Sequence, residues 1–218
     1  TLTVKRADAV LTGADSVTKT YGDDSFRLDV AANHTEADIQ YELTDGEGVV
    51  TVAEDGTVTI LKAGTATIRV SLPESKNYNA AEKTITVSVG KKRLFSAATS
   101  KTFYYDRDHE AELDIRAFLP EDCGRVEIER VSDAHEKVVI NTTDYDDETG
   151  ILSYRVLKND MDASATVKIK VASENYWTFD ISLTVTWSSK LDVYVKEGKK
   201  VTLKNSVMTY GDRLSTLE

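Results

Sequence analysis

Residues 177–187 read WTFDISLTVTW, an unbroken alternation of apolar and polar side chains. Successive side chains of a β-strand point to opposite faces, so a period of two places one row against a core and the other towards solvent. The stretch therefore predicts a core-facing strand. It also predicts that Trp177 and Trp187 are buried on the face that carries Phe179, Ile181 and Leu183.

The same alternation appears on both sides of a tight turn in the first half of the chain. Val50 and Val52 precede the turn residues 54–56 (EDG), and Val58 and Ile60 follow them. Glycine supplies the positive φ that a tight hairpin needs, so the segment predicts two strands joined by a hairpin. Strands recur at the short spacing typical of a sandwich. Together these patterns predict an all-β fold, in which we interpret the nearest helical candidate, residues 133–138, as a loop.

Blocks of these strands recur with a period of about 95 residues. Residues 66–70 (ATIRV), 77–78 (NY) and 84–89 (TITVSV) correspond to residues 165–169 (ATVKI), 175–176 (NY) and 182–187 (SLTVTW). The block TYGD at residues 20–23 recurs at residues 209–212. The repeats predict two modules, at residues 1–90 and 91–189, followed by the truncated start of a third repeat at residues 190–218.

The composition is that of a folded, acidic protein. Apolar residues make up 40% and charged residues 29% of the chain, values typical of a protein that buries a core. Acidic residues outnumber basic ones by 37 to 27, and the net charge of −10 repels phosphate backbones and anionic headgroups. We therefore expect no nucleic-acid partner. Because the sequence has no apolar run of about 18 residues, we expect no membrane insertion in this fragment.

The cysteine content limits which disulfides, zinc sites and nucleophilic sites the chain can form. Cys123 is the only cysteine, so neither an intrachain disulfide nor a zinc site of the paired-cysteine kind can form. A cysteine–histidine nucleophile would need His109 or His135, but no oxyanion donors or helix N-terminus are predicted near Cys123. We expect a packed thiol, no catalytic residues, no cofactor and no enzymatic activity.

Two segments resemble a known family. The stretch 50–70, with its valines, the turn block 54–58 (EDGTV) and the later block 62–68 (KAGTATI), resembles the bacterial immunoglobulin-like domains of intimin/invasin-type surface proteins. The entry block Tyr21-Gly22-Asp23 and the block Asn77-Tyr78 are similar to related repeat modules in large secreted bacterial proteins. The second module keeps the last strands but has Tyr104 at the position of Gly22 and extra residues near 107–112.

The resemblance implies tandem immunoglobulin-like β-sandwich domains in a secreted or cell-surface protein. It implies a role as a stalk or as an adhesion module, although a fold alone does not determine function. The predicted partners are neighbouring modules of the same chain and, for an adhesive role, a host glycan or protein. We expect the fragment itself to be a monomer.

One acidic cluster is a candidate calcium site, formed by Asp144, Asp146, Asp147 and Glu148. A calcium loop of the helix–loop–helix type needs glycine at its sixth position and glutamate at its twelfth. Counted from Asp144, these positions hold Thr149 and Arg155. We therefore favour the alternative, a solvated acidic turn ahead of Gly150.

A group of aromatic residues in the second module is a candidate ligand-binding surface. Because the alternation assigns Trp177 and Trp187 to the core, the rings expected at the surface are those of Tyr104, Tyr105, Tyr145 and Tyr176. Exposed rings of this kind stack on sugars. The sequence leaves three hypotheses: a non-catalytic spacer, a carbohydrate- or protein-binding module, and an accessory domain of a secreted glycan-degrading enzyme.

Overall fold

A computed structural model describes residues 2–105, 107–188, 192–194 and 200–202 of the chain. Among these residues the only helical elements are two single 3₁₀ turns, Arg116–Phe118 and Thr142–Asp144. The strands are β1 (Ala7–Asp8), β2 (Leu11–Gly13), β3 (Ser16–Thr20), β4 (Phe26–Arg27), β5 (Val30–Ala32), β6 (Gln40–Asp45), β7 (Val50–Val52), β8 (Thr57–Ile60), β9 (Gly64–Leu72), β10 (Tyr78–Asn79), β11 (Ala81–Gly90), β12 (Ala97–Tyr104), β13 (His109–Asp114), β14 (Val126–Ser132), β15 (Val138–Val139), β16 (Tyr145–Asp146), β17 (Ile151–Val156), β18 (Ala163–Ser173), β19 (Phe179–Ser188), β20 (Asp192–Tyr194) and β21 (Lys200–Thr202).

The chain divides into two compact units. Unit one contains Thr1–Phe95 together with Leu119–Glu127 and Val171–Phe179. Unit two contains Ser96–Phe118, Ile128–Lys170 and Asp180–Glu218. The module boundaries expected at residues 90 and 189 remain predictions.

Unit one is a β-sandwich. One sheet has the strand order β3-β11-β9-β6, and the other has the order β4-β8-β7. Its core consists of apolar side chains from both sheets and the adjoining loops, namely Leu28, Val49, Val50, Val58, Ala66, Ile68, Val70, Ile85, Val87 and Val89. Alternate residues of β9 and β11 are buried, as a period of two requires.

The hairpin expected around residues 54–56 is present in unit one. Strands β7 and β8 pair antiparallel, from Val50 opposite Ile60 to Val52 opposite Val58. Gly56 has a φ of 82°, a conformation that glycine adopts without steric cost. The turn closes through a 2.8 Å hydrogen bond from the Ala53 N–H to the Thr57 carbonyl.

Unit two contains the main part of a second pair of sheets, with the strand orders β12-β19-β18-β14 and β13-β17-β15, and β16 also pairs with β17. Every second residue of β19 is buried, and Trp187 is only 1% exposed. The Trp187 indole N–H donates a 2.9 Å hydrogen bond to the Leu157 carbonyl, which satisfies its one polar group in the core. The prediction of an all-β protein made of immunoglobulin-like sandwiches is confirmed.

The sequence assigned Trp177 to the core and Tyr176 to the surface, and both assignments are wrong. Trp177 is 53% exposed, whereas Tyr176 is 4% exposed. The reason is that β19 begins at Phe179, so residues 174–178 are not part of the strand and do not follow its period of two. In this segment the Trp177 N–H donates a 2.8 Å hydrogen bond to the Lys92 carbonyl.

Two further expectations concern the helical candidate and the third repeat. Residues 133–137 form bends and turns, and Val138 begins β15, so the loop interpretation holds for most of the segment. Within residues 190–218, the predicted start of a third repeat, β20 and β21 pair antiparallel. The block at residues 209–212 lies outside the described residues. In the part of the chain that the structure describes, no helix has the length and apolar character needed to cross a membrane.

Candidate functional site

In each four-stranded sheet, the strand that comes first in the sequence pairs with the strand that comes last, and the two run parallel. In unit one, β3 pairs with β11 from Ser16 opposite Thr86 to Thr20 opposite Gly90. The pairing is extended at both ends, because the Thr86 N–H donates to the Asp15 carbonyl at 2.9 Å and the Tyr21 N–H donates to the Gly90 carbonyl at 2.8 Å.

The second strand pair repeats this arrangement. Strands β12 and β19 pair parallel from Ala97 opposite Ile181 to Tyr104 opposite Ser188. The sequence repeat identified β11 and β19 as corresponding strands, but it did not identify their partners. Strand β3 carries few apolar side chains, and pairing between residues that are distant in sequence leaves no local signal.

Parallel pairing determines where the chain enters and leaves each four-stranded sheet. The chain enters β3 beside Thr86 and leaves β11 beside Thr20, so entry and exit lie at opposite ends of the pair. Pulling on entry and exit moves the two strands in opposite directions along their own axes. The backbone hydrogen bonds between them lie across the strands and are therefore loaded together. The strand pairs can bear tension without any side-chain chemistry.

The network at the end of the first pair contains Tyr176, one of the predicted ligand-binding rings. The Tyr176 hydroxyl donates to Asp122 Oδ1 at 2.7 Å, and the Tyr21 hydroxyl donates to Asp122 Oδ2 at 2.9 Å. The two rings meet edge to face with centroids 5.7 Å apart. All three residues belong to unit one. Since Tyr176 is buried, the prediction that it is a surface ring is wrong.

The pKa values of the two tyrosines and of Asp122 shift in opposite directions in this network. Desolvation, followed by its hydrogen bond to the Asp122 carboxylate, raises the pKa of Tyr176. Desolvation raises the pKa of Tyr21 as well. The hydrogen bond from Tyr176 lowers the pKa of Asp122. The network is therefore at its most stable with a charged carboxylate and two neutral phenols.

The other predicted rings do not form one platform. Tyr104 ends β12 and its carbonyl lies 2.9 Å from His109 Nε2, while His109 pairs with Val156 at the end of β17. Tyr145 pairs with Leu152 near the start of that strand, about 13 Å away at the rise of a β-strand. Tyr105 follows β12 and accepts a 2.8 Å hydrogen bond at its carbonyl from the Asn159 N–H. Ligand binding by these three residues stays a prediction.

The four acidic residues run from the 3₁₀ turn Thr142–Asp144 through β16 into the turn that follows it, and hydrogen bonds hold this segment. Asp146 Oδ1 accepts the backbone N–H groups of Glu148 at 2.8 Å and Thr149 at 3.3 Å. These bonds lower the pKa of Asp146, the bond from Glu148 having the larger effect. Asp144 Oδ2 accepts from the Asn141 side-chain amide at 2.9 Å.

The Asp147 carboxylate pairs with a cation. Arg116 donates to both the carbonyl and the carboxylate of Asp147, at 2.8 and 3.0 Å. Across the described residues, no three His, Cys, Asp or Glu side chains converge as metal ligands. The structure therefore does not bring the four predicted calcium ligands together.

The residues weighed for nucleophilic chemistry have packing contacts. Cys123 is 2% exposed, and its thiol donates to the Gly124 carbonyl at 3.4 Å. His135 packs at an angle against Trp187, with ring centroids 5.4 Å apart, and His109 packs against Phe103 at 5.1 Å.

No protein-family model matches the chain, and no curated protein matches its sequence. Solved structures resemble it at low identity. Drosophila N-cadherin EC1-3 is 13% identical with a TM-score of 0.30, covering 84% of this chain and 68% of that chain. The Bacteroides ovatus protein SGBP-B, solved with a mixed-linkage heptasaccharide, is 10% identical with a TM-score of 0.31, covering 84% of this chain and 49% of that one.

The S-layer protein rSbsC is 16% identical with a TM-score of 0.25, and the match covers 93% of this chain and 33% of that one. Similarities this low assign neither a family nor a function. The intimin/invasin-type identity remains a prediction from the residues that carry the resemblance.

Proposed function

We propose that this chain is a non-catalytic structural spacer of a multidomain extracellular bacterial surface protein, with neighbouring modules of the same chain as its partners. The observation that carries the proposal is the parallel pairing of the first and last strands of each four-stranded sheet, which occurs in both β3/β11 and β12/β19. Each pair places the incoming and outgoing chain at opposite ends, which suits an end-to-end array under tension.

The net charge of −10 favours solubility and repels anionic surfaces, which suits a module exposed to solvent. In the proposed role the chain projects other parts of its parent protein away from the cell. A binding function is a second candidate, favoured by the groove in unit one described in the next subsection.

Single-molecule stretching of the full chain, held at its two ends, tests the spacer role. We expect discrete unfolding events, one of which lengthens the chain by about 25 nm, the extended length of residues 16–90. The decisive variant is Lys19→Pro. Because the Tyr21 N–H faces β11 and a ladder alternates, the Lys19 N–H two residues earlier faces β11 as well. Its removal should lower the unfolding force of that event.

Thr18→Pro is the matched control. Strand β3 is the edge of its sheet, and the Thr18 N–H points away from β11, where proline is tolerated. The control should unfold at a force close to that of the unaltered chain. Equal forces for Lys19→Pro and the unaltered chain, or gradual extension without discrete events, would contradict the proposal.

A further inference from the structure

An open groove of about 500 Å³ lies in unit one, between the turn that joins β7 to β8 and residues 30–39, which comprise β5 and the loop after it. Small-molecule sites typically enclose roughly 300–1,000 Å³, so the groove is large enough for a ligand. Its polar lining comes mainly from Arg27, Asp38, Tyr41, Glu54 and Asp55. These residues lie in three separate stretches of sequence, which is why sequence patterns did not reveal the groove.

The wall formed by the β7–β8 turn is held by its own hydrogen bonds. The Asp55 carboxylate accepts from both the N–H and the hydroxyl of Thr57 at 2.9 Å, and the bond from the Thr57 N–H has the largest effect in lowering the pKa of Asp55. The Arg27 Nε donates to the Asp55 carbonyl at 2.8 Å. Among the described residues neither terminal nitrogen of Arg27 has a hydrogen-bond partner, so both remain available to a ligand.

The opposite wall is anchored by Glu36. Its carboxylate accepts from the Ser75 hydroxyl at 2.9 Å and from the Asn77 side-chain amide at 2.8 Å. Nearby, the His34 ring stacks on Tyr78 with centroids 3.9 Å apart. These contacts order the loop without a ligand. Binding therefore carries no entropic cost for ordering the loop.

Tyr41 supplies an aromatic surface between the two walls. It lies on β6 and packs partly against the core, and burial raises its pKa. Its ring lies so close to the turn that a Cβ on Gly56 would be 2.7 Å from Tyr41 Cζ. Within the described part of the chain the Tyr41 hydroxyl has no hydrogen-bond partner.

We infer that this groove binds an uncharged saccharide segment. A cationic ligand would meet the guanidinium of Arg27, and an anionic ligand would meet the carboxylates of Asp38, Glu54 and Asp55. The hydroxyl groups of a saccharide can bond to both kinds of side chain, because they donate to carboxylates and accept from a guanidinium. The Tyr41 ring provides the flat apolar face on which a sugar ring stacks. This site is independent of the spacer role, since it uses neither parallel strand pair.

NMR titration of the full chain with neutral tetrasaccharides tests the site, using cellotetraose, xylotetraose, mannotetraose and maltotetraose at concentrations up to about 10 mM. We expect at least one to shift the Arg27 Nε signal and the amides of Asp38 and Thr57. Tetragalacturonate and a chitosan tetramer, which carry opposite charges, should bind at least about tenfold more weakly.

Four variants locate the binding. Arg27→Gln and Asp38→Asn should each weaken the best ligand about tenfold, and Tyr41→Ala should weaken it as much or more. Tyr41→Phe keeps the ring and the core packing and should change affinity by less than about threefold.

Arg69→Gln, on an exposed arginine that pairs with Glu42, is the control for a lost surface charge in the same unit. Absence of binding by all four neutral ligands would overturn the inference. So would shifts that map outside the groove, stronger binding of a charged ligand, or unchanged affinity in both Arg27→Gln and Asp38→Asn.

Discussion

The two parallel strand pairs share a topology but differ in length and in the side chains that anchor them. Strand β3 pairs with β11 over five positions, and β12 pairs with β19 over eight. The buried row of β11 consists of Ile85, Val87 and Val89. That of β19 is longer and bulkier, with Phe179, Ile181, Leu183, Val185 and Trp187.

The difference shows that the same topology tolerates cores of different volume. What the two pairs have in common is the alternation and the direction of pairing, while the size of the side chains is free to vary as long as each core is filled. Larger buried side chains remove more apolar surface from water, so the β12/β19 pair should lose more stability on truncation than the β3/β11 pair.

The largest effect should come from Trp187→Ala. This side chain is 1% exposed and its indole N–H is hydrogen-bonded to the Leu157 carbonyl, so its loss should reduce the free energy of unfolding by about 3–5 kcal/mol. Trp177→Ala is the matched control, because Trp177 is 53% exposed and its truncation should cost only about 1–2 kcal/mol. Urea denaturation followed by circular dichroism measures both, and similar losses would show that the burial of the two rings is misassigned.

A smaller difference should separate Leu183→Ala from Val87→Ala. Both side chains are fully buried at the centre of their rows. Truncation should cost about 3 kcal/mol for Leu183 and about 2 kcal/mol for Val87, since leucine loses more buried carbon atoms. Amide hydrogen exchange in β19 and β11 measures each loss separately. A larger loss for Val87 would contradict the proposed relation between side-chain volume and the strength of each pair.

The smallest effect concerns pH and the end of the β3/β11 pair, where the Tyr21 hydroxyl binds Asp122. The pKa of Asp122 is lowered from its ordinary value of 3.8, so its contribution to stability is present above that pH and is lost as the pH falls through the folded-state pKa. The pKa of Tyr176 is raised from 10.0, so its contribution is present below pH 10 and is lost at higher pH.

The Asp122→Asn variant lacks this titrating carboxylate. The free energy of unfolding of unit one should therefore fall less steeply below about pH 4 in the variant than in the unaltered chain. Amide exchange of β11 between about pH 2.5 and 5 measures it, corrected for the intrinsic dependence of exchange on pH. The exchange of β17 in unit two serves as the internal reference. An acid dependence that is identical in the variant and the unaltered chain would show that Asp122 does not contribute to it.

The sequence predicted the strands well where an alternation of apolar and polar residues coincides with a paired strand. Strands β9, β11 and β19 follow this rule, and the hairpin at residues 54–56 has the glycine geometry that its sequence indicates. The prediction failed at Tyr176 and Trp177, because the alternation begins at Trp177, two residues before β19 does. Tyr176 and Trp177 exchange their expected environments there, because the backbone contact with Lys92 orients this segment instead of a strand pleat.

For the candidate ligand sites too, the sequence did not show which side chains the fold brings together. The acidic residues 144–148 were identified from their density in the sequence, but whether they converge on one point depends on the fold, and they do not. The groove was missed because Arg27, Asp38 and Tyr41 come from different strands and loops, and none of them belongs to a recognisable motif.

By itself the sequence determined that the chain is all-β, which residues of its longest strands face the core, and that the strand pattern repeats. These properties are local, since the period of two is a property of the extended backbone. Only the tertiary structure decided that first and last strands pair parallel, that Tyr176 meets Asp122, and that Arg27 and Tyr41 share a groove. Such contacts join residues that are distant in the chain, and the packing of the whole core selects them from many alternatives.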